Sequence, residues 1–137
     1  MEKSRIPMAD ETKAVATSVP DQGGHVPSIV TPIFDQAIPN IPGKSLNVLE
    51  VDYAPGAAAH PHRHAKSAFI YAYVLSGEIE SKVNDGETRV YKTGEFWTEP
   101  PNANHPISRN ASKTKPAKLL AVFVVDSDDK PLTIPVE

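Results

Sequence analysis

Proline is spread along the whole chain and accounts for 14 of its 137 residues. This is about twice the usual share, and each proline removes a backbone donor and interrupts helices. The chain is therefore expected to form short elements rather than long helices. Between the prolines, "SLNVLEVDY" (45–53) and "IESKV" (79–83) alternate apolar and polar residues, which is typical of half-buried strands.

Turn signals separate further short apolar segments. "AFIYAYVL" (68–75) is aromatic and β-branched, "NDG" (84–86) is a tight-turn signal, and "EFWTE" (95–99) predicts another strand. "AKLLAVFVVD" (117–126) is apolar on both faces, which predicts a central strand or one buried in a dimer interface. Turn signals at intervals of roughly eight to twelve residues indicate an all-β sandwich or barrel.

The length favours one domain, which we place at residues 28–130. Residues 1–27 are polar without a clear period and predict a loosely structured arm, and residues 131–137 predict a short tail. A formal net charge of -3 and a pI of about 5.9 give no general attraction to nucleic acid or to an anionic membrane. The chain has no cysteine, which excludes thiolate nucleophiles and cysteine-ligated zinc.

Two features bear on the compartment. The longest strongly apolar run, Leu119 to Val125, is far too short to span a bilayer. The first residues, "MEKSRIPMADETK", lack the apolar segment of a signal peptide, which favours a cytoplasmic protein. The alternative is a periplasmic or secreted protein from which a signal peptide has been removed.

Histidines at every second position precede the strand at 68–75. His60, His62 and His64 would point to one face of a strand, with neighbouring members roughly 6.6 Å apart along it. Two imidazoles at that spacing can reach one metal ion, so either the 60/62 pair or the 62/64 pair could chelate it. His105, after a proline-asparagine turn, is the candidate third ligand. The fifth histidine, His25, lies in the arm.

Two segments resemble the conserved motifs of the cupin superfamily. Residues 56–77 are similar to the first motif, G-x5-H-x-H-x(3,4)-E-x6-G, and residues 94–105 are similar to the start of the second, G-x5-P-x-G-x2-H-x3-N. The matching positions are Gly56, His62, His64, Gly77, Gly94, Pro100 and His105. The resemblance covers about residues 45–126 and implies a double-stranded β-helix, the jelly-roll barrel of the cupins. It also selects His62 and His64, with His105, as metal ligands.

The chain departs from the motifs at three places. The glutamate that usually ligates the metal is absent, because counting places it at Ala68, Phe69 or Ile70. We favour Ile70 as the equivalent position, with its side chain directed into the cavity. Asn102 replaces a motif glycine and can adopt the positive φ that glycine provides. The asparagine that ends the second motif is shifted by one residue, to Asn110.

The resemblance thus implies one divalent metal per chain in a three-histidine site. Such a site would leave up to three coordination positions open and would favour an anionic or enolate-like ligand. Fe(II) is favoured, with Zn, Mn, Ni, Co and Cu as alternatives. Neutral imidazole is the form that binds, so metal should be lost below about pH 6.

Other residues are candidates for supporting positions. Glu78 and Glu99 are interpreted as solvated charges at strand ends, and the less favoured alternative for each is the missing metal ligand. His60 is interpreted as a loop residue near the cavity mouth, or as a nearby base or alternative ligand. The candidates for positions around the metal or in the cavity wall are His60, Phe69, Tyr73, Trp97 and Glu99.

Three functional classes fit this interpretation. The first is a dioxygenase-like oxidoreductase acting on an anionic or enolisable small molecule. With Zn or Mn the site could instead support a lyase, isomerase or hydrolase reaction. The second class is a non-catalytic sensor or carrier of a small ligand. A storage role is weaker, because storage cupins are usually duplicated and each motif occurs here once.

We also expect a homodimer. The strand at 117–126 is apolar on both faces, and residues 29–34, interrupted by Pro32, read as an edge strand. Both features need partners, since unpaired edges and apolar faces favour association.

Overall fold

The computed structural model describes residues 15–16 and 26–136, and all regular elements in this part of the chain are β-strands. The all-β prediction is confirmed, whereas the predicted arm over residues 1–27 lies largely outside the described residues. The strands are β1 (Val15–Ala16), β2 (Ile29–Ala37), β3 (Lys44–Tyr53), β4 (His62–His64), β5 (Phe69–Ser76), β6 (Glu78–Lys82), β7 (Arg89–Lys92), β8 (Phe96–Glu99), β9 (Asn104–His105), β10 (Ile107–Asn110), β11 (Ala117–Asp126) and β12 (Thr133–Pro135).

The strands form one large and two small sheets. The large sheet has the order β1-β2-β3-β11-β5-β8, and the small sheets have the orders β9-β4-β12 and β10-β6-β7. Neighbouring strands are antiparallel throughout. The hydroxyl of Tyr53 on β3 lies 2.6 Å from that of Ser108 on β10, within hydrogen-bond distance, which links the large sheet to one small sheet. The core lies between the sheets.

Strand β11 is central in the large sheet, as one of the two interpretations of 117–126 predicts. It pairs with β3 on one side and with β5 on the other. Its alternate residues, including Leu119 and Phe123, are buried in the core. The residues between them, such as Val122, are half-buried on the outer face of the sheet. One face of this strand therefore builds the wall of the barrel interior.

Strand β2 has the edge character that Pro32 predicts. It pairs with β3 along its length, but among the described residues its other side pairs only with β1, at Ile29 and Val30. The register with β3 shifts between Pro32 and Phe34. This irregularity accommodates the proline, which cannot donate to a regular ladder.

Two motif positions have the backbone geometry that requires their residue types. Gly77 has φ of +73°, and a Cβ atom added there would lie 2.5 Å from the carbonyl oxygen of Pro116. No other residue fits at this position without a shift of the neighbouring backbone. Asn102 has φ of +65°, so this asparagine adopts the conformation expected of the motif glycine.

The predicted C-terminal tail contributes a strand to the fold. In β12, Thr133 lies opposite His64 and Pro135 lies opposite His62. Strand β4 is therefore held on both sides, by β9 and by β12. Among the described residues there is no helix with the length and hydrophobicity needed to cross a membrane.

Candidate metal centre

The small sheet β9-β4-β12 brings the three motif histidines together. His62 and His105 are opposite each other in the pairing of β4 with β9, and His64 follows two residues later on β4. The ring centroid of His62 lies 4.7 Å from that of His64 and 5.0 Å from that of His105. One ring nitrogen from each histidine can be chosen so that all three lie within 4.8 Å of one another. These residues could therefore hold one metal ion.

Backbone carbonyls orient the two histidines of β4. The Nδ1 atom of His62 lies 2.7 Å from the carbonyl oxygen of His60, and Nδ1 of His64 lies 3.4 Å from that of Leu132. A carbonyl oxygen only accepts, so Nδ1 of the neutral His62 ring carries the proton and donates it, which leaves Nε2 with the free lone pair usual for metal-binding histidines. Nδ1 of His64 also lies 3.4 Å from the hydroxyl oxygen of Thr133, which can donate or accept, so its contacts are compatible with either tautomer.

The third histidine is oriented by a serine. Nε2 of His105 lies 2.8 Å from Oγ of Ser81 on β6, and both side chains are buried. Because a hydroxyl can donate or accept, this contact is compatible with either ring tautomer. The other ring nitrogen, Nδ1, points to the side chain of Glu99 at 3.3 Å.

Glu99 lines the cavity, as expected of a candidate for a position around the metal, and the favoured interpretation of it as a solvated charge is wrong. It is only 2% exposed, whereas Glu78 lies on the surface as expected. Glu99 is on β8, directly opposite Ile70 of β5, and both side chains are buried and line the same cavity. A carboxylate thus occupies the neighbourhood in which the motif glutamate is missing. The sequence does contain a signal, because the alternation in "EFWTE" puts Glu99 on the same face as Trp97.

Both oxygens of Glu99 have distinct surroundings. Nε1 of Trp97 donates a hydrogen bond of 3.0 Å to Oε2. Oε1 lies 3.0 Å from Nε2 of His64, but neither atom has a hydrogen-bond partner among the described residues. Buried polar atoms without partners are costly, and two ligand atoms bound side by side at ~2.1 Å from one ion would be ~3.0 Å apart. The donor set therefore fits a divalent metal.

Burial determines the protonation of the cluster. It lowers the pKa of His62 to about 3 and that of His105 to about 4, because the charged imidazolium is poorly solvated there. For Glu99, burial favours the neutral acid, but His105 and His64 outweigh it and lower the pKa to about 2. At neutral pH, His62 and His105 are thus in the neutral form that binds metals, and Glu99 carries a negative charge.

The histidines open into a small cavity inside the barrel. Its volume is about 50 Å³, which corresponds to roughly three or four water-sized groups. None of the described residues that line it is a lysine or an arginine. The aliphatic and phenylalanine side chains that line it are Val30, Leu49, Val51, Ala59, Ile70, Ala72, Leu119, Ala121 and Phe123. The polar side chains of the wall include the hydrogen-bonded pair Tyr53 and Ser108, and burial raises the pKa of Tyr53 to about 12.

The remaining candidates divide into residues at the cavity or the metal site and residues on the outer face of the large sheet. His60 and Ile70 line the cavity, and Trp97 contacts Glu99 and lies 5.9 Å from the ring centroid of His105. Phe69 and Tyr73 do not line it, which corrects their placement in the cavity wall. They alternate with the buried residues of β5, and Phe69 is 45% exposed on the outer face.

Comparison with known protein families gives a match to the cupin domain model over residues 49–123. The germin-like protein subfamily 2 member 2 of Arabidopsis thaliana is 33% identical over 100 residues, covering 70% of this chain and 44% of the relative. The Oryzines biosynthesis cluster protein J of Aspergillus oryzae is 35% identical over 94 residues, covering 69% of this chain and 48% of that protein. The chain thus spans less than half the length of these relatives.

Solved structures show the same fold. An oxalate oxidase structure superposes with a TM-score of 0.63 at 25% identity, covering 93% of this chain and 62% of the other. A double-stranded β-helix protein from Klebsiella pneumoniae superposes with a TM-score of 0.62 at 19% identity, covering 98% of this chain and 100% of that one. The predicted jelly-roll barrel is confirmed by these likenesses.

Proposed function

Because the chain belongs to the cupin domain family, we propose that it binds one divalent metal through His62, His64 and His105 and uses it on a small molecule. The observation that carries the proposal is the convergence of three ring nitrogens within 4.8 Å at the wall of a buried cavity. The carbonyl contact at Nδ1 of His62 supports it, since it leaves Nε2 of that ring free.

We further propose an oxygenase-type reaction on an anionic or enolisable substrate. When bound, the metal would supply charge stabilisation to a chelating anion and, as Fe(II), activation of dioxygen. The cavity wall offers an anion no lysine or arginine among its described residues, so the anion's charge has to be balanced at the metal. The likeness to an oxalate oxidase, 62% of whose chain is covered, supports a small oxygen-rich substrate.

The chain's own residues would exclude water and orient the substrate. The apolar residues of β3, β5 and β11 surround the ligand, and the cavity holds only roughly three or four water-sized groups. Tyr53 is neutral because its pKa is raised to about 12, so its hydroxyl can donate to a substrate oxygen and does not act as a base near pH 7. The small volume of the cavity favours a compact substrate over a long one.

The first test is the identity of the metal in protein purified without a chelator and without a nickel column, by elemental analysis. The second is oxygen consumption with small dicarboxylates, β-diketones, thiols and phenols as substrates. We expect about one metal per chain and turnover that His105→Ala abolishes. Turnover without oxygen consumption would indicate a non-redox lyase or isomerase. Stabilisation by a ligand without any turnover would indicate a binding module.

A further inference from the structure

We propose that Glu99 is a fourth protein ligand of the metal, through Oε1, and that it replaces the carboxylate absent from position 70. This inference rests on the proposed metal site and concerns which side chains complete it. The motif positions alone predict a site that lacks a carboxylate ligand. The structure contradicts that prediction, because Glu99 is buried against His64 and His105.

The contact between Glu99 and His64 argues for a cation between them. Nδ1 of His64 lies 3.4 Å from both the carbonyl oxygen of Leu132 and the hydroxyl oxygen of Thr133, so Nε2 is the ring atom that faces Glu99. Nε2 lies 3.0 Å from Oε1 of Glu99, yet neither atom has a hydrogen-bond partner in the described part of the chain. Two electron-rich atoms at this distance repel unless a proton or a metal ion lies between them, and the lack of a hydrogen bond at either atom favours the metal ion.

The second carboxylate oxygen is already satisfied. Oε2 accepts a hydrogen bond of 3.0 Å from Nε1 of Trp97, two residues earlier on the same strand. Trp97 is buried, so its indole is held in place by packing. This bond fixes the rotation of the carboxylate and leaves Oε1 as the free oxygen. Trp97 is therefore a positioning residue for Glu99.

The pairing of β5 with β8 explains how a glutamate on β8 can take the place of the motif glutamate expected on β5. Ile70 and Glu99 are direct partners across an antiparallel pair, and both side chains face the cavity. Directly opposed Cβ atoms in such a pair are about 4.5–5.5 Å apart. A carboxylate on either residue can therefore reach the same region of the cavity. The site regains the three-histidine, one-glutamate composition that is usual in the family, with the glutamate on the neighbouring strand.

The inference is tested with Co(II) and Mn(II) added to metal-free protein. Glu99→Gln keeps the shape of the side chain and removes its charge, and the exposed Glu78→Gln is the matched control. We expect Glu99→Gln to weaken Co(II) binding at least about 10-fold, to change the visible Co(II) spectrum and to add one water to bound Mn(II). Glu78→Gln should match the wild type. An unchanged spectrum and water count in Glu99→Gln would overturn the inference.

A double variant, Ile70→Glu with Glu99→Ile, exchanges the two side chains across the strand pair. We expect it to bind Co(II) more tightly than Glu99→Gln, since the carboxylate is restored from the opposite strand. Binding as weak as that of Glu99→Gln would refute the exchange of positions. Metal binding by the wild type separates this inference from the proposed function. If the wild type binds no metal, both are wrong, whereas unaltered coordination in Glu99→Gln refutes only the role of Glu99.

Discussion

Trp97 and Glu99, two residues apart on β8, are joined by a hydrogen bond of 3.0 Å from the indole Nε1 to the carboxylate Oε2. Both side chains are buried next to His105, so the strand presents a donor and a charged acceptor to the same small volume. Trp97 therefore has two roles: its ring packs in the core and its indole N–H donates a hydrogen bond to the carboxylate.

Trp97→Phe should keep much of the packing and remove this donor. We expect metal affinity to fall about 10-fold, since outer partners of ligands typically matter by 10–100-fold. The metal-free protein should lose about 2 kcal/mol, the usual contribution of a hydrogen bond to a charged group. Competition with a chelator and urea denaturation measure the two effects. Phe96→Leu, on the exposed face of the same strand, is the control and should leave metal affinity unchanged.

His105→Ala should remove most of the bound metal, whereas His60→Ala should retain it. His60 contacts His62 through its backbone carbonyl, which the substitution preserves. Its side chain lines the cavity, so the His60 variant should alter ligand binding rather than metal content. Elemental analysis of both proteins decides between these outcomes. His25 lies outside the described residues, and His25→Ala is expected to keep its metal because this histidine is not one of the motif positions.

The stability of the metal-free protein should fall as the pH decreases below about 6.5. The unfolded chain binds protons at His62 and His105 near that pH, whereas burial lowers their pKa in the folded state to about 3 and about 4. Their contribution to stability is complete above pH 6.5 and is lost progressively toward pH 4 for His105 and toward pH 3 for His62. Each group adds up to about 1.4 kcal/mol per pH unit in this window.

Urea denaturation at several pH values between 7.5 and 5 measures this slope. His105→Gln should reduce the slope of stability against pH by about the contribution of one histidine. An unaltered slope would contradict the lowered pKa of His105. The same shifts change the expectation for metal release. Because protons compete weakly for His62 and His105, the metal should be retained below the pH of about 6 that unshifted histidines imply.

Ile70→Glu in the otherwise unchanged protein should destabilise the metal-free form. The side chain of Ile70 faces the cavity, as expected of the position equivalent to the motif glutamate. However, the new carboxylate would lie opposite the buried charge of Glu99. We expect a loss of about 3 kcal/mol, because like charges are buried side by side. Denaturation with and without metal tests this, and equal stability to the wild type would refute it.

The outer face of the large sheet supports the prediction of a homodimer. Phe69 and Phe96 are 45% and 55% exposed, and the ring of Tyr71 lies 5.3 Å from that of Phe96. Exposed aromatic clusters of this kind are typical of association surfaces. We expect a dimeric mass at micromolar concentration by analytical ultracentrifugation, and a monomer for Phe69→Glu combined with Phe96→Glu. A monomeric wild type would contradict the prediction.

The local parts of the structure could be predicted from sequence. The spacing of His62, His64 and His105 and the positive φ of Asn102 depend on residues close in sequence or on motif register. Glu99 could not be assigned in the same way, because its burial depends on the pairing of β8 with β5. Phe69 was placed on the wrong face because a shift of one residue reverses the direction of a strand side chain.

Strand β12 illustrates the same limit. Residues 133–135 carry no strong strand signal, and they gain order by pairing with β4 across about seventy residues of chain. Leu132, just before this strand, provides the carbonyl oxygen that faces Nδ1 of His64. A contact over that sequence separation cannot be inferred from local periodicity.

The opposition of Ile70 and Glu99 also has a consequence for comparing relatives. If a carboxylate on either strand can serve the site, then the two positions should covary, with an apolar residue at one wherever the other is acidic. A chain judged on position 70 alone would be classed as having lost a ligand, although its net charge at the metal is unchanged. Sorting relatives by both positions together would separate chains that have relocated the charge from chains that have discarded it.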